Sequence, residues 1–183
     1  QVAKVQHYTF DLNQEDYSFF DRFTDIDSLI ITAGFGRLAL FEDVDEKHII
    51  DSFNVNTVAV MRLIRKFYDR ISSEKDFYCT VMGSISGFMS SPFFAVYGAT
   101  KAALKIFIES VNVELCKAGT TNRILNVSPG SIKGTGFYNG PTDISMTAQL
   151  AKDILEHTLA KDDLFILLYD EVYKTVLERY HAD

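Results

Sequence analysis

The sequence predicts an α/β fold with a doubly wound parallel sheet. Short apolar runs alternate along the chain with longer segments of helical pattern, as in such sheets. Most of these runs are unbroken rather than alternating, which is typical of strands covered on both faces. The length of 183 residues indicates one domain, residues 1–183, with a sizeable core.

The predicted elements alternate in order along the chain. The predicted strands are 3–10, 29–32, 77–82, 124–127 and 164–169. The predicted helices are 14–23, 46–71, 97–117, 146–159 and 171–180. Asp45 or a neighbour caps the second helix, and Gly119 ends the third. Residues 131–147 are rich in Gly, Ser and Thr and predict a long loop, which we assign with the following helix to substrate binding over 131–160.

Composition and charge exclude several classes of function. A net charge of −7 argues against binding nucleic acid or an anionic membrane through a broad basic face. Apolar runs fall short of the roughly 18 residues that a membrane span needs. Cys79 and Cys116 lie in apolar segments, so we expect reduced core cysteines and a cytoplasmic protein. The four histidines lack metal-ligand spacing, so no metal site is expected.

Candidate site residues converge on one edge of the predicted sheet. Gly34, Ser84 and Pro129-Gly130 each lie just past the carboxyl end of a predicted strand, and Tyr97 begins the helix after one. Parallel strands place their carboxyl ends at the same edge, and ligands bind beyond that edge. The sequence therefore predicts one ligand-binding edge.

Tyr97 and Lys101 are four residues apart, so on a helix the phenol and the ammonium lie on one face. A free phenol titrates at about pH 10, and a nearby cation lowers that pKa. We therefore expect Tyr97 to exchange a proton near neutral pH, with the Ser84 hydroxyl donating to a substrate oxygen. By itself, Tyr-x-x-x-Lys also fits a surface tyrosine beside a solvated lysine.

For two groups of residues the sequence allows two interpretations each. Asn54 and Asn56 lie inside a predicted helix, where asparagine is mildly unfavourable, and each is either functional or solvent-facing. Six aromatic or methionine side chains either line an apolar substrate cleft or belong to the core: Phe88, Met89, Phe93, Phe94, Phe137 and Tyr138.

From about residue 5 to residue 137 the chain resembles the short-chain dehydrogenases/reductases. Asn56, Ser84, Tyr97 and Lys101 match the family's catalytic residues in order and spacing. Three further motifs are similar to the family's Asn-Ala-Gly turn, its Pro-Gly motif and its adenine-contacting Asp: Thr32-Ala33-Gly34, Asn126-Val127-Ser128-Pro129-Gly130 and Asp11-Leu12.

The resemblance implies a Rossmann-like oxidoreductase that interconverts a carbonyl and a secondary alcohol. Tyr97 would be the general acid/base, Lys101 would lower its pKa and bind the nicotinamide ribose, and Ser84 would hold the substrate oxygen. Asn56 would support a water that links Lys101 to solvent. The implied contacts of NAD or NADP are Asp11, Leu12, Ala33, Gly34, Tyr97, Lys101, Pro129, Gly130, Ile132 and Thr135. The implied substrate contacts are Ser84 and Phe137.

The sequence departs from the family at its beginning. The family starts with a strand, a glycine-rich turn and a second strand–helix pair, for which this sequence has no counterpart. We expect that about 60 further residues belong to a longer protein; the alternative is a chain that does not bind the cofactor. Two other classes remain: a non-catalytic relative that binds or senses, and an epimerase of the same fold.

The expected partners follow from the helices and the site. Two long predicted helices are apolar on more than one side, which favours a homodimer or a homotetramer. The other expected partner is a small carbonyl or alcohol substrate.

Overall fold

The computed structural model describes residues 4–130, 132 and 143–182, and it contains one four-stranded parallel sheet. The strands pair in sequence order: β1 (Ser28–Ile31), β2 (Tyr78–Met82), β3 (Ile124–Ser128) and β4 (Leu164–Ile166). Parallel neighbours need crossover connections, and helices supply them here. The predicted α/β fold with a parallel sheet is confirmed.

Helices connect the strands. The α-helices are α1 (Glu46–Phe53), α2 (Ala59–Lys66), α3 (Tyr68–Ile71), α4 (Ala95–Lys117), α5 (Ala148–Ala160) and α6 (Lys174–Ala182). Short 3-10 turns occupy Ser18–Arg22, Phe41–Asp43, Ile85–Gly87 and Ile144–Thr147, and π turns occupy Asn54–Val58 and Tyr169–Tyr173. Among the described residues, no helix has both the length and the apolar character needed to cross a bilayer.

The first predicted strand and helix are wrong for the described part of the chain. Residues 4–10 form no strand, and only Ser18–Arg22 forms a short 3-10 turn. Contacts among the aromatic rings of this segment and with two distant arginines override the local pattern. The Phe10 ring packs on neighbouring aromatic rings of the same segment. Arg62 donates to Gln14 O at 3.1 Å, and Arg70 donates to Thr24 O at 2.7 Å, so arginine side chains hold this backbone.

The predicted helix 46–71 forms in three pieces. Asp45 caps it as predicted, because its Oδ1 accepts from the His48 N–H at 2.7 Å. The π turn Asn54–Val58 separates α1 from α2, and Phe67 separates α2 from α3. An inserted π turn shifts the side chains that follow it around the helix axis, and such turns are frequent at functional sites.

The hydrophobic core lies between the sheet and helices α2 to α4. Fully buried members from four elements include Ile64, Val81, Leu104 and Ile124. Cys79 belongs to this core as predicted, but Cys116 is exposed. Cys116 follows the buried Leu115 on α4, so a single residue step around the helix carries its thiol to the outer face.

The last predicted strand is shorter in the structure. β4 stops at Ile166, where prediction extended it to residue 169, because Leu168 adopts a left-handed conformation with φ 57° and begins a new turn. The predicted C-terminal helix is present as α6, preceded by a π turn. Gly119 has φ +83° and follows α4, as predicted for a glycine that ends a helix.

Candidate active site

The positions predicted to share one edge of the sheet do so. Gly34, Ser84 and Gly130 each lie within three residues of the carboxyl end of a strand, and Tyr97 lies in the first turn of α4. The three strands are parallel neighbours in the sheet, so their carboxyl ends share one edge. The fold therefore brings the backbone of these positions to the same side of the molecule.

Ser84 and Tyr97 meet at this edge. The Tyr97 hydroxyl hydrogen-bonds with the Ser84 side chain. The Ser84 Oγ also accepts from the Ser86 N–H at 3.2 Å, which caps the short turn Ile85–Gly87. Both hydroxyls are thereby fixed relative to each other, as is needed for two groups that bind one substrate oxygen.

The pKa of Tyr97 moves in the direction opposite to the prediction. Burial raises the pKa of the phenol, and the hydrogen bond from Ser84 only partly lowers it. The Lys101 Nζ lies 5.8 Å from the centroid of the Tyr97 ring. In this structure the phenol therefore keeps its proton at neutral pH.

The Lys101 side chain points into the protein. Its Nζ donates to Met82 O, at the end of β2, at 2.7 Å, and the residue is only 3% exposed. Burial lowers the pKa of Lys101 to about 8, because the charged ammonium loses water. This ammonium thus lies one turn from Tyr97 along α4, as predicted, and it bonds the sheet at Met82 O.

Asn56 is fully buried, so the solvent-facing interpretation is wrong for it. Its Oδ1 accepts from the Phe35 N–H at 2.9 Å, and its Nδ2 donates to Phe35 O at 2.8 Å. These two bonds clamp the turn after β1. The neighbouring Asn54 is only half-buried, in agreement with Asn56 as the candidate of the two.

Thr100 is a site residue that the sequence analysis missed. Its Oγ1 donates to Tyr97 O at 2.7 Å and accepts from Asn56 Nδ2 at 3.2 Å. Its own carbonyl accepts from Thr57 Oγ1 at 3.0 Å. This buried network ties the first turn of α4, which carries Tyr97, to the π turn that carries Asn56. A hydroxyl three residues after Tyr97 on a buried helix was the available signal.

Thr100→Val is expected to lower kcat about tenfold and the free energy of unfolding by about 1–2 kcal/mol. The valine keeps the shape but leaves Asn56 Nδ2 with one bond fewer and releases the Tyr97 carbonyl. Steady-state kinetics and urea unfolding measure the two effects.

Thr158→Val is the matched control. Thr158 is also buried, and it bonds Thr80 Oγ1 at 2.7 Å and Ile154 O at 2.7 Å on α5, away from the candidate edge. It should lose similar stability with kcat unchanged, and Thr100→Ser should restore kcat. An unchanged kcat in Thr100→Val would contradict the positioning role.

The turn at Gly34 fits a bound cofactor. Gly34 is exposed, and a Cβ there would lie 3.2 Å from Asn56 Oδ1 and 3.4 Å from Lys101 Nζ. A side chain would thus crowd both candidate groups, whereas glycine leaves this edge open to a ligand that approaches the backbone closely. Ala33, beside it, is half-buried and packs against the core.

The other predicted cofactor and substrate contacts have no described hydrogen bond to Ser84, Tyr97, Lys101 or Asn56. The Asp11 carboxylate accepts from the Asn13 N–H at 2.9 Å in a local turn, and Leu12 packs partly against the core. Pro129, Gly130 and Ile132 are half-buried. Thr135, Phe137 and Tyr138 lie outside the described residues.

Asn126 packs against the backbone just before Ser84. A Cβ on Gly83 would lie 2.0 Å from Asn126 Oδ1, so only glycine fits there. Asn126 Oδ1 and Ser128 Oγ are buried without a hydrogen-bond partner among the described residues. The sequence analysis placed Asn126 in the Pro-Gly motif but gave it no role. Its contact with Gly83 depends on the register of β2 and β3, which the sequence does not show.

A cavity of about 610 Å³ lies beside the segment between Ser84 and α4. Phe88, Met89 and Phe94 line it, together with Tyr180 from α6, whereas Ser84, Tyr97 and Lys101 do not. These three apolar side chains are half-buried and Phe93 is exposed, so none of the four is plain core. Within the described residues, no cluster of His, Cys, Asp and Glu is arranged to hold a metal ion.

Comparison with known proteins agrees with the fold. A family profile described as short chain dehydrogenase matches residues 15–142. This chain therefore belongs to the short-chain dehydrogenase family. It is 31% identical over 104 residues to human 17-beta-hydroxysteroid dehydrogenase type 1, which covers 57% of this chain and 32% of that protein.

Two further relatives cover more of the chain. An uncharacterized oxidoreductase, YusZ, of Bacillus subtilis is 29% identical over 139 residues, or 72% of this chain and 49% of that protein. A short-chain dehydrogenase from Sphingobium yanoikuyae, solved in complex with NADPH, superposes with a TM-score of 0.73 at 20% identity, covering 94% of this chain and 73% of that one. The match spans 32% of the length of the first curated relative and 49% of the second.

Proposed function

We propose that this chain is the catalytic part of an NAD(P)-dependent oxidoreductase that interconverts a carbonyl and a secondary alcohol. The observation that carries the proposal is the hydrogen bond between Ser84 and Tyr97 at the carboxyl edge of the sheet, with the buried Lys101 one helical turn away. Family membership and a relative named as a hydroxysteroid dehydrogenase support the same reaction class.

Tyr97 and Ser84 act on the reacting oxygen. In the reducing direction the protonated phenol donates its proton to the carbonyl oxygen, and in the oxidising direction the phenolate takes it back. The Ser84 hydroxyl donates a hydrogen bond to the same oxygen and stabilises the charge that develops on it.

NAD or NADP, when bound, would supply or accept the hydride. Lys101 holds its ammonium beside the Gly34 turn and can donate to a ribose hydroxyl there. Asn56 keeps that turn in place through Phe35. The other proposed cofactor contacts are Asp11, Leu12, Ala33, Pro129, Gly130, Ile132 and Thr135, and Phe137 is a proposed substrate contact.

Absorbance of the reduced cofactor tests the proposal. The full-length protein is mixed with NADH or NADPH and a panel of ketones and aldehydes, and loss of near-ultraviolet absorbance is followed. Consumption that depends on the ketone is the expected result. Cofactor binding without consumption would favour a non-catalytic relative, and inversion of a sugar-nucleotide centre without net consumption would favour an epimerase; either overturns the proposal.

We also propose that the protein is a homodimer or homotetramer. Ile106 and Val113, seven residues apart on α4, are exposed and share one face of that helix. Replacing both with Glu is expected to convert the oligomer to a monomer by light scattering, whereas Val5→Glu, at another exposed apolar residue, is expected to leave the mass unchanged. A wild-type monomer would contradict the proposal.

A further inference from the structure

Two loops at the edge of the candidate site expose large apolar side chains. The loop after β1 carries Leu38, Leu40 and Phe41, which are 64%, 48% and 64% exposed. The segment between Ser84 and α4 carries Phe93, which is 50% exposed. Clustered exposed apolar side chains mark surfaces that bind apolar groups. We call these four residues the apolar rim.

One backbone hydrogen bond joins the two loops of the apolar rim. The Ala39 N–H donates to Phe93 O at 3.1 Å, so the residues on either side of Ala39 lie close to Phe93. Phe93 has φ 68°, in the left-handed region that bulky residues rarely adopt. Backbone strain of this kind clusters at active sites and ligand-binding segments. The rim is therefore a fixed surface rather than four unrelated side chains.

The rim continues to the reacting group. Phe94 follows Phe93, and the centroid of its ring lies 5.6 Å from that of Tyr97. An apolar surface thus runs from solvent at Phe93 to the phenol that is proposed to transfer the proton.

Charge is absent from the segment that lines this path. Residues 83–100 contain no Asp, Glu, Lys, Arg or His. On the other loop the one cation within residues 32–41 is Arg37, whose guanidinium lies 3.9 Å from the Asp45 carboxylate. An ionised substrate would lose water along residues 83–100 without gaining a counter-ion, which is unfavourable.

We propose that the substrate is an uncharged ketone, or its secondary alcohol, with a bulky apolar body that binds against the apolar rim. The inference rests on the proposed function, because the carbonyl is placed at Ser84 and Tyr97 and the rim lies on the path outward from them. Burying the apolar body against Phe93 and Leu38 supplies affinity that a small ketone does not obtain.

Phe93→Asn tests this with two ketones of different size. Asparagine adopts the left-handed region more readily than other non-glycine residues, so the backbone is kept while the ring is removed. The kcat/KM values for 2-decalone and cyclohexanone are measured with the reduced cofactor that the full-length protein uses. The wild type should prefer 2-decalone, and the variant should lower the ratio of the two values about tenfold.

Leu159→Gln is the matched control. Leu159 is 55% exposed at the end of α5, next to the amino end of β4 and hence at the opposite edge of the sheet. It should leave the ratio unchanged. Leu38→Ser, at an unstrained position of the rim, should lower the ratio in the same direction, and it replaces Phe93→Asn if that variant does not fold.

The outcomes distinguish failure of the substrate inference from failure of the proposed function. If the wild type prefers cyclohexanone, or if the rim variants leave the ratio unchanged, the substrate inference is overturned while the proposed function stands. If neither ketone nor any other carbonyl consumes cofactor, both are overturned.

Discussion

Tyr97→Phe is expected to lower kcat for ketone reduction by about a thousandfold, because it removes the general acid. The phenylalanine has the same shape and gives up only the hydroxyl that bonds the Ser84 side chain. The free energy of unfolding should therefore change by no more than about 1 kcal/mol. Single-turnover kinetics with the reduced cofactor separate this loss of chemistry from an effect on substrate binding.

Tyr78→Phe provides the control for this prediction. Tyr78 is half-buried at the amino end of β2, whereas Ser84 follows the carboxyl end of the same strand. It should leave kcat unchanged. A Tyr97→Phe protein with wild-type kcat would remove the phenol from the mechanism and with it the role assigned to the Ser84–Tyr97 pair.

Lys101→Met is expected to lower kcat/KM by about a hundredfold or more and, at the same time, to stabilise the fold. The ammonium is buried, and the hydrogen bond described for it goes to a neutral carbonyl, Met82 O. A buried charge without an opposite charge is costly, and Met fills similar space without it. At pH 7 we expect a gain of about 2 kcal/mol in the free energy of unfolding.

The gain should depend on pH in a direction that the pKa of Lys101 fixes. Burial lowers that pKa to about 8, whereas a lysine in an unfolded chain keeps its proton to about pH 10.4. Between these values the unfolded chain binds more protons, so the wild-type free energy of unfolding rises with pH. The advantage of Lys101→Met should therefore shrink by about 1 kcal/mol from pH 8 to pH 9.

Lys105→Met is the comparison for the stability effect. Lys105 lies one turn further along α4 and pairs with Glu109 at 2.9 Å near the surface, so its removal should change stability by no more than about 1 kcal/mol. Urea unfolding at pH 7, 8 and 9 gives all three curves. A Lys101→Met protein that is less stable than the wild type at pH 7 would show that the bond to Met82 O outweighs the cost of the buried charge.

Local pattern predicted much of this site because its residues sit at element ends. Ser84 follows an unbroken apolar strand, and Gly34 interrupts the chain just past another, so each position follows from short-range sequence. The spacing of Tyr97 and Lys101 on a helix needs only its period. By contrast, the role of Thr100 depends on a contact with Asn56, 44 residues away, which no local pattern contains.

The strand predicted for the N-terminal segment was wrong for a related reason. Residues 4–10 have strand-like composition, but β-propensity describes how side chains fit a sheet rather than an intrinsic backbone state. Here the Phe10 ring packs on Tyr17 and Phe20, and Arg62 and Arg70 bond the backbone that follows. These contacts hold the segment in place of the backbone hydrogen bonds that a strand would make with a neighbouring strand.

The amino-acid sequence by itself determined the parallel α/β architecture and the set of groups at its carboxyl edge, because both follow from hydrophobic period and from which residues come directly after each strand. Only the tertiary structure decided the protonation of that set. Burial raises the pKa of Tyr97 and lowers that of Lys101, and the direction of each shift depends on the water and the partners that surrounding elements leave to the group. Spacing along a helix brings two side chains near each other, but it does not fix what else surrounds them.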